Sequence, residues 1–280
     1  MTGKMSDDTF HVSTSDFDFL CGFFRKRSGY VLEREKEYIC ASYLSGVMTA
    51  AGVGDLAALS RTLRLDPEGP LATAVIEAMT INETMFFRDG QPFVHLAEKI
   101  LPHLTGGKTS GEVSLLSMAC SSGQEPYSMA MILDREKHRY PGWHFSIMAA
   151  DLCGNILRKA ERGVYSDFEI SRGLSPDMVN EYMVREGEEW RVHERIRNMV
   201  RFRKANLLNI EPSLGVYDVI FCRNVLIYFD PAQKKSVLEK LRQHIRHKGF
   251  LFTGVSENVS TIGAKGFTSH PEWRGVYIAA

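Results

Sequence analysis

The sequence predicts an α/β fold: a largely parallel sheet preceded by an all-helical segment. Three observations carry this. From about residue 112 onward, apolar runs fit for buried strands alternate with helical patterns, which implies parallel strands joined by right-handed crossovers. The first ~90 residues show helical spacing alone. The alternation is then broken once, for about 36 residues between Gly163 and Val200. That is too long for an ordinary loop in a compact unit and indicates a small inserted subdomain.

In the helical segment, Ser15 and Asp18 have capping-box spacing. Phe17, Leu20, Cys21 and Phe24 follow at helical spacing, and Gly29 ends the element. A second helix is predicted from about Glu33 to Ala51, with Cys40, Leu44, Val47 and Met48 on one face. A short third helix follows Asp55 through Leu56, Leu59 and Leu63, and a fourth carries Leu71, Ala74, Val75, Ala78 and Met79. Short amphipathic helices joined by Gly- or Pro-containing turns define a helical domain over residues 1–90. Pro92 opens a connecting helix through Phe93, Leu96, Ala97, Ile100 and Leu101. With the polar, glycine-rich stretch 105–111 it forms a linker over 91–111.

Residues 112–280 hold the sheet, with the insert at about 164–199. Strands are predicted at 113–119, 145–150, 201–205, 217–222, 250–255 and 275–279. Helices are predicted at about 126–139, 155–162 and 231–247, the last closed by Gly249.

The 280 residues accommodate one large domain or two modest ones. A hydrophobic fraction of 44% with 24% charged residues is that of a soluble globular protein. Basic and acidic residues balance at 34 each, so bulk charge indicates no nucleic-acid surface. Cys21, Cys40, Cys120, Cys153 and Cys222 are scattered without a C-x-x-C pair, which fits reduced cytosolic thiols and no zinc site. The opening M-T-G-K-M-S-D-D-T-F lacks the apolar run of a signal peptide, and no stretch approaches the ~20 apolar residues of a membrane span. The expectation is a cytoplasmic monomer with no metal, no nucleic-acid partner and no membrane insertion.

In an open parallel sheet, ligands bind beyond the carboxyl ends of the strands, near the topological switch point. The residues just after each apolar run are therefore the candidates. After the first run comes A-C-S-S-G-Q-E-P-Y, 119–127. Its small residues let the backbone turn sharply. Gly123 is its only glycine, so the G-x-G-x-x-G loop is missing and a pyrophosphate cradle is unsupported. Glu125, near a helix N-terminus, either stabilises the helix dipole or complements a cationic ligand. A sulfonium carrying an amino-acid moiety suits it, whereas a dinucleotide is repelled. Asp151 ends the second strand, 28 residues after Gly123. It either caps the next helix or accepts both ribose hydroxyls.

Asn206 and Leu207 follow the third strand. They are either a turn residue beside a core residue, or a pair that reads an adenine edge and packs on its ring. After the fourth strand, in C-R-N-V-L-I-Y-F-D (222–230), buried apolar neighbours make Asn224 and Tyr228 costly unless they find partners. Tyr228 is either a satisfied core tyrosine or a site residue. Ahead of the sheet, T-I-N-E-T-M-F-F-R-D (80–89) ends the last N-terminal helix. Its Asn82, Thr84 and Arg88 form either a capped helix end with an exposed Arg, or a lid that the helical domain contributes to the site.

Together these residues carry a family pattern. The chain resembles the chemotaxis receptor methyltransferases, the CheR-type protein-glutamate O-methyltransferases. The matching blocks are T-I-N-E-T-M-F-F-R-D; A-C-S-S-G-Q-E-P-Y-S; A-A-D-L ending at Leu152, with A-E-R-G-V-Y after it; and the stretch from N-L-L at Asn206 through F-C-R-N-V-L-I-Y-F-D. G-V-S-E-N at Gly254 is similar to the family's G-x-S-E segment. The resemblance spans nearly the whole chain, and the order and spacing of the blocks are more specific than any one of them.

The resemblance implies an N-terminal helical domain, then a Rossmann-like S-adenosylmethionine-dependent methyltransferase domain with a small inserted β-subdomain. It implies methyl transfer to glutamate side chains on cytoplasmic helices of chemoreceptors, for sensory adaptation, with S-adenosylhomocysteine as product. It places cofactor contacts on Asn82, Thr84, Arg88, Glu125, Asp151, Asn206, Leu207, Asn224 and Val225. It puts Arg88 and Tyr228 near the methyl-transfer point as the catalytic residues. Two departures stand out. The family often carries an S-R-L-like basic stretch on its second helix, thought to meet receptor helices; this chain reads A-S-Y-L-S-G over 41–46. The segment R-E-G-E-E-W-R-V, 185–192, lacks the longer glycine-rich loop of members that bind a receptor C-terminal peptide, so no such tether is expected.

Other classes remain to be weighed. A cofactor-sensing signalling module without catalysis would keep the pocket, but Arg88 and Tyr228 count against it. A methyltransferase of a non-chemotaxis receptor array shares the same chemistry. The missing glycine-rich loop argues against a nicotinamide-dependent oxidoreductase. Zero net charge, with no basic run beyond 25–27, argues against a nucleic-acid methyltransferase.

Overall fold

The computed structural model describes residues 13–32, 37–106 and 109–280. Contacts divide the chain into two units, Met1–Ile81 and Asn82–Ala280. The division precedes the boundary read at residue 90, because 82–90 folds with the second unit.

The first unit holds α1 (Thr14–Ser28), α2 (Glu37–Ala51), α3 (Leu56–Leu65) and α4 (Pro70–Met79). Ser13, not Ser15, caps α1: its Oγ accepts the Asp16 N–H at 3.2 Å, and Ser15 already lies inside the helix. Gly29 closes α1 at φ 84°, with its N–H on the Arg25 carbonyl. The predicted start of the second helix at Glu33 lies outside the described residues. Within α2, Cys40, Leu44 and Met48 are buried at four-residue spacing. Asp55 caps α3 through the Ala58 N–H at 2.6 Å. Helix α2 packs on α4, and α1 packs on α3. Leu59, Leu63 and Val75 are fully enclosed, and each such side chain stabilises the unit by about 1.5–3 kcal/mol.

The second unit opens on the non-helical stretch 82–90. A three-part helix follows: α5 (Gln91–His95), a π turn over Leu96–Ile100, and α6 (Leu101–Thr105). Pro102 has no N–H to continue the ladder. The helix widens just before it, and the Leu101 N–H reaches the Leu96 carbonyl.

The remaining elements are, in order, β1 (Gly111–Met118), α7 (Gln124–Glu136), β2 (Trp143–Asp151), α8 (Gly154–Arg162), β3 (Val164–Ser166), α9 (Asp167–Ser171) and α10 (Pro176–Tyr182). Then come β4 (Met183–Glu186), β5 (Glu189–Val192), α11 (Glu194–Arg197), β6 (Val200–Lys204), β7 (Tyr217–Cys222), α12 (Pro231–Gln243), β8 (Ile245–Phe252), α13 (Val259–Ile262), β9 (Phe267–Ser269) and β10 (Val276–Ala279).

The main sheet runs β6-β2-β1-β7-β8-β10-β9. Strands β6 through β8 are parallel, and β10 is antiparallel to both β8 and β9. The chain winds from β1 out to β2 and β6, then returns to the other side of β1 with β7. This Rossmann-like order puts the switch point between β1 and β7, where Ser117 pairs with Phe221 and Met118 with Cys222. Ligand crevices open at such points. The core holds Phe86, Phe93, Phe221 and Phe252, with the last two stacked at 4.4 Å.

Strands β3, β5 and β4 form a separate three-stranded antiparallel sheet within 164–192. A two-residue turn with Gly187 at φ 61° joins β4 to β5.

The helix predicted to 247 ends at Gln243. His244 is buried with Nδ1 2.7 Å from the Gly215 carbonyl, and Ile245 already begins β8. Gly249 therefore closes no helix. It sits in β8 near a register shift against β7, where a Cβ would fall 2.7 Å from the Asp218 carbonyl oxygen. Among the described residues, no helix is long and apolar enough to cross a membrane.

Candidate active site

The loop after β1 turns through three left-handed residues, Ala119 (φ 59°), Ser121 (51°) and Gly123 (93°). Gly123 is needed twice over: for its φ, and because a Cβ there would lie 2.9 Å from the Ala160 Cβ. The Cys120 N–H donates to the Ala150 carbonyl at 3.0 Å, and Tyr165 Oη donates to the Ser122 carbonyl at 2.7 Å. Burial, reinforced by the charges of Asp151 and Glu125, pushes the Cys120 thiol well above its ordinary range. It is a neutral packing group and not a nucleophile.

Asp151 ends β2 and is buried. One oxygen accepts the Ser121 N–H at 2.8 Å and the other the Cys153 N–H at 2.9 Å. The N-cap of α8 is Cys153, so Asp151 is not that helix's cap; it joins the β1 loop to the β2 loop.

Glu125 lies in the first turn of α7 and is buried. Its Oε1 accepts Ser117 Oγ at 2.8 Å, and its Oε2 accepts Arg223 Nη1 at 2.9 Å. The Arg223 side chain is 1% exposed. Its Nη2 donates to Asp89 Oδ2 at 2.7 Å and to the Arg88 carbonyl at 2.9 Å. One guanidinium thus binds the start of α7, the 88–89 turn and the end of β7. Sequence reasoning does not single out Arg223, Ser117 or Asp89. A signal for Arg223 was present: an arginine directly after a strand buried at all but one position must find a carboxylate.

The segment 82–89 is anchored along its length. The Asn82 carbonyl accepts Ser121 Oγ at 2.8 Å. Phe86 is fully buried, edge-on to Tyr165 at 5.0 Å, and the Phe87 N–H donates to Ser128 Oγ at 2.9 Å. These bonds make it part of the second unit, which corrects the reading of it as a lid from the helical domain; the helix-end reading holds for Thr80 alone, which is the C-cap of α4. Asn82, Thr84 and Arg88 are half-buried on it. Arg88 Nη1 donates to the Glu83 carbonyl at 2.9 Å.

The loop after β7 begins with Asn224, left-handed at φ 57°. Its N–H donates to Glu257 Oε2 at 2.8 Å. Val225 is buried, and a 3-10 turn over Leu226–Tyr228 follows. The apolar neighbours Val225, Leu226 and Phe229 are buried as expected, while Asn224 and Tyr228 themselves are only half-buried.

At the end of β6, Asn206 Oδ1 accepts the Leu208 N–H at 2.9 Å, and Leu207 is buried. Leu152, Ala205 and Asn206 line a cavity of about 250 Å³ that extends to Arg203 and Glu211. Asn206 and Leu207 adjoin the end of β2, where the Ala205 N–H donates to the Asp151 carbonyl at 2.9 Å.

Six non-glycine residues among those described have positive φ, and five of them (Phe87, Asp89, Ala119, Ser121 and Asn224) lie in these loops. Strain of this kind concentrates where a backbone is held for function. The carboxylates Asp89, Glu125, Asp151 and Glu257 outnumber the guanidinium groups of Arg88 and Arg223. That excess favours a cationic ligand and opposes a pyrophosphate. Among the described residues, no cluster is placed to hold a metal ion.

Residues 82–271, the span that contains this whole network, match the family model described as CheR methyltransferase, SAM binding domain. The chain belongs to the CheR methyltransferase family. It is 38% identical over 252 residues to chemotaxis protein methyltransferase Cher2 of Pseudomonas putida, covering 88% of this chain and 92% of the relative. It is 37% identical over 255 residues to chemotaxis protein methyltransferase 1 of Pseudomonas aeruginosa, covering 90% and 93%. It is 33% identical over 257 residues to the chemotaxis protein methyltransferase of Salmonella typhimurium, covering 90% and 86%. This CheR-family chain is an S-adenosylmethionine-dependent methyltransferase. The residues present fit that cofactor: an excess of carboxylates for its cationic end, and a small cavity lined by Leu152, Ala205 and Asn206 of a size that could take a nucleobase.

Proposed function

We propose that the chain methylates glutamate side chains on the cytoplasmic helices of chemoreceptors, forming γ-methyl esters for sensory adaptation. S-adenosylmethionine, when bound, supplies an electrophilic methyl group on a sulfonium. An acceptor glutamate oxygen forms the new bond to that methyl carbon as the carbon–sulfur bond breaks, leaving S-adenosylhomocysteine. The observation that carries the reading is the Arg223 network, which joins three family blocks at the switch point between β1 and β7.

In this reading Asp151 receives the ribose hydroxyls, while Asn206 and Leu207 hold the adenine. Asn82, Thr84, Arg88, Glu125, Asn224 and Val225 line the rest of the cofactor site. The acceptor carboxyl has an ordinary pKa near about 4.3 and is ionised at neutral pH. No residue is needed as a general base. The protein's task is to line up the reacting atoms and exclude water. Arg88 is half-buried at the rim and carries donors beyond the one given to Glu83, so it can hold the acceptor carboxylate in a fork. Tyr228 donates a hydrogen bond to the acceptor from the opposite loop.

Incubation with methyl-labelled cofactor and purified receptor cytoplasmic fragments tests this. Label on receptor glutamates is the expected result. Cofactor binding without transfer to any receptor would leave a cofactor-sensing module instead.

A further inference from the structure

Glu257 is buried, and it lies in the loop after β8. Three backbone N–H groups meet its carboxylate: Gly254 at 2.6 Å and Asn224 at 2.8 Å on Oε2, and Ile227 at 3.2 Å on Oε1. Its own backbone is fixed as well. The Glu257 N–H donates to the Gly254 carbonyl at 2.9 Å, and Thr253 Oγ1 donates to the Glu257 carbonyl at 2.8 Å. Gly254 leaves room for this arrangement, because a Cβ there would lie 2.7 Å from Glu257 Oε2 and 2.8 Å from Asn224 Nδ2.

Burying a carboxylate is costly, and here backbone amides provide the compensation. What the charge holds is specific. Asn224 is in the left-handed region, which Asn tolerates better than other non-glycine residues. Ile227 is the middle residue of the 3-10 turn that ends on Tyr228. A single carboxylate therefore fixes both ends of the stretch between the end of β7 and Tyr228.

We propose that Glu257 is a positioning residue for methyl transfer. Its Oε2 fixes the left-handed Asn224, and its Oε1 fixes the Leu226–Tyr228 turn so that Tyr228 meets the acceptor. The inference rests on the role given to Tyr228 above. Glu257 does not touch the reacting atoms; it acts through the turn.

Glu257→Gln exchanges one acceptor oxygen for a donor amide while keeping size. The remaining oxygen serves the side where two amides converge, Asn224 and Gly254. The new NH₂ then opposes the Ile227 N–H, donor against donor, and releases the turn. The expected result is a kcat lowered about 10- to 100-fold, the scale of loss when a reacting group is misplaced by about 1 Å. S-adenosylhomocysteine affinity, read by calorimetry, stays within about threefold. In a Tyr228→Phe background the same substitution lowers kcat by less than about twofold, because the group it positions is already gone.

An equal loss in both backgrounds, a kcat within about twofold of wild type, or an affinity that falls as far as kcat overturns the inference. If Glu257→Gln shows no cooperative thermal melt, Glu257→Asp, which keeps the charge but shortens its reach, is measured against the same outcomes. Wild-type protein run in parallel separates the two readings. Without transfer by wild type the proposed function fails, whereas wild-type transfer with an unaffected Glu257→Gln overturns this inference alone.

Discussion

Arg223 Nη1 lies 2.9 Å from Glu125 Oε2, joining residues 98 positions apart. The pair joins the first turn of α7 to the residue after β7. Arg223 Nε is buried without a hydrogen-bond partner among the described residues, so the guanidinium depends on its two carboxylates and the Arg88 carbonyl.

Removing one partner of a buried ion pair strands the other, typically at a cost of about 3–5 kcal/mol. Arg223→Met is expected to lower unfolding stability in urea by about 3 kcal/mol. Arg223→Lys recovers only part of this, since one ammonium cannot reproduce the two-pronged contact. A loss under about 1 kcal/mol for the Met variant would show that the network does not hold the loops together.

Asp151→Asn replaces one oxygen with an amide that must face the N–H of either Ser121 or Cys153. Losing a charged acceptor costs about 1.5–3 kcal/mol. Calorimetry with S-adenosylhomocysteine should give a Kd raised about 10- to 100-fold. A Kd within about twofold of wild type would remove Asp151 from the ribose site.

Arg88 is half-buried on a loop, where its Nη1 donates to the Glu83 carbonyl at 2.9 Å. Arg88→Ala should leave stability within about 1 kcal/mol and lower turnover on receptor substrate at least about tenfold. Unchanged turnover at saturating acceptor would exclude Arg88 from the transfer point.

His270 and His95 flank Trp273, stacked at 3.6 Å and 5.2 Å. His270 Nδ1 accepts the N–H groups of Glu272 and Trp273, at 3.2 Å and 3.3 Å, and must be unprotonated to do so. Burial lowers the pKa of His270, and burial together with the His270 charge lowers that of His95, from an ordinary value of 6.5. The unfolded chain therefore takes up these protons at higher pH than the folded chain. The stability contributed by the neutral rings is complete above pH 6.5 and is lost as pH falls through the lowered folded values. Thermal melting should shift down between about pH 7 and pH 5. His270→Phe, which keeps the stack without titrating at that position, should flatten part of the shift. An identical slope in the variant would locate the effect elsewhere.

Much of the fold was legible because its strongest strands are short and mostly apolar. The stretch 217–222 has the same bounds in sequence and structure, since all but Asp218 of its residues are buried. Strand β9, three residues long, carries too little periodicity to be read. The early end of α12 depends on His244 finding the Gly215 carbonyl, a contact between residues 29 positions apart that no local pattern encodes. The site divides in the same way. Glu125, Asp151 and Asn224 follow apolar runs, so strand logic reaches them. Arg223 and Glu257 matter through partners distant in sequence, Glu125 and Asp89 for one and Asn224 and Ile227 for the other. Their neighbours in the chain do not reveal those pairings.

The central claim is that the acceptor is a carboxylate. Receptor fragments labelled with tritiated methyl cofactor and then treated with mild base measure this directly, because a carboxyl methyl ester releases volatile labelled methanol and an N-methyl group does not. Nearly complete release is the expected result; label that stays on the receptor through base treatment would contradict the assignment.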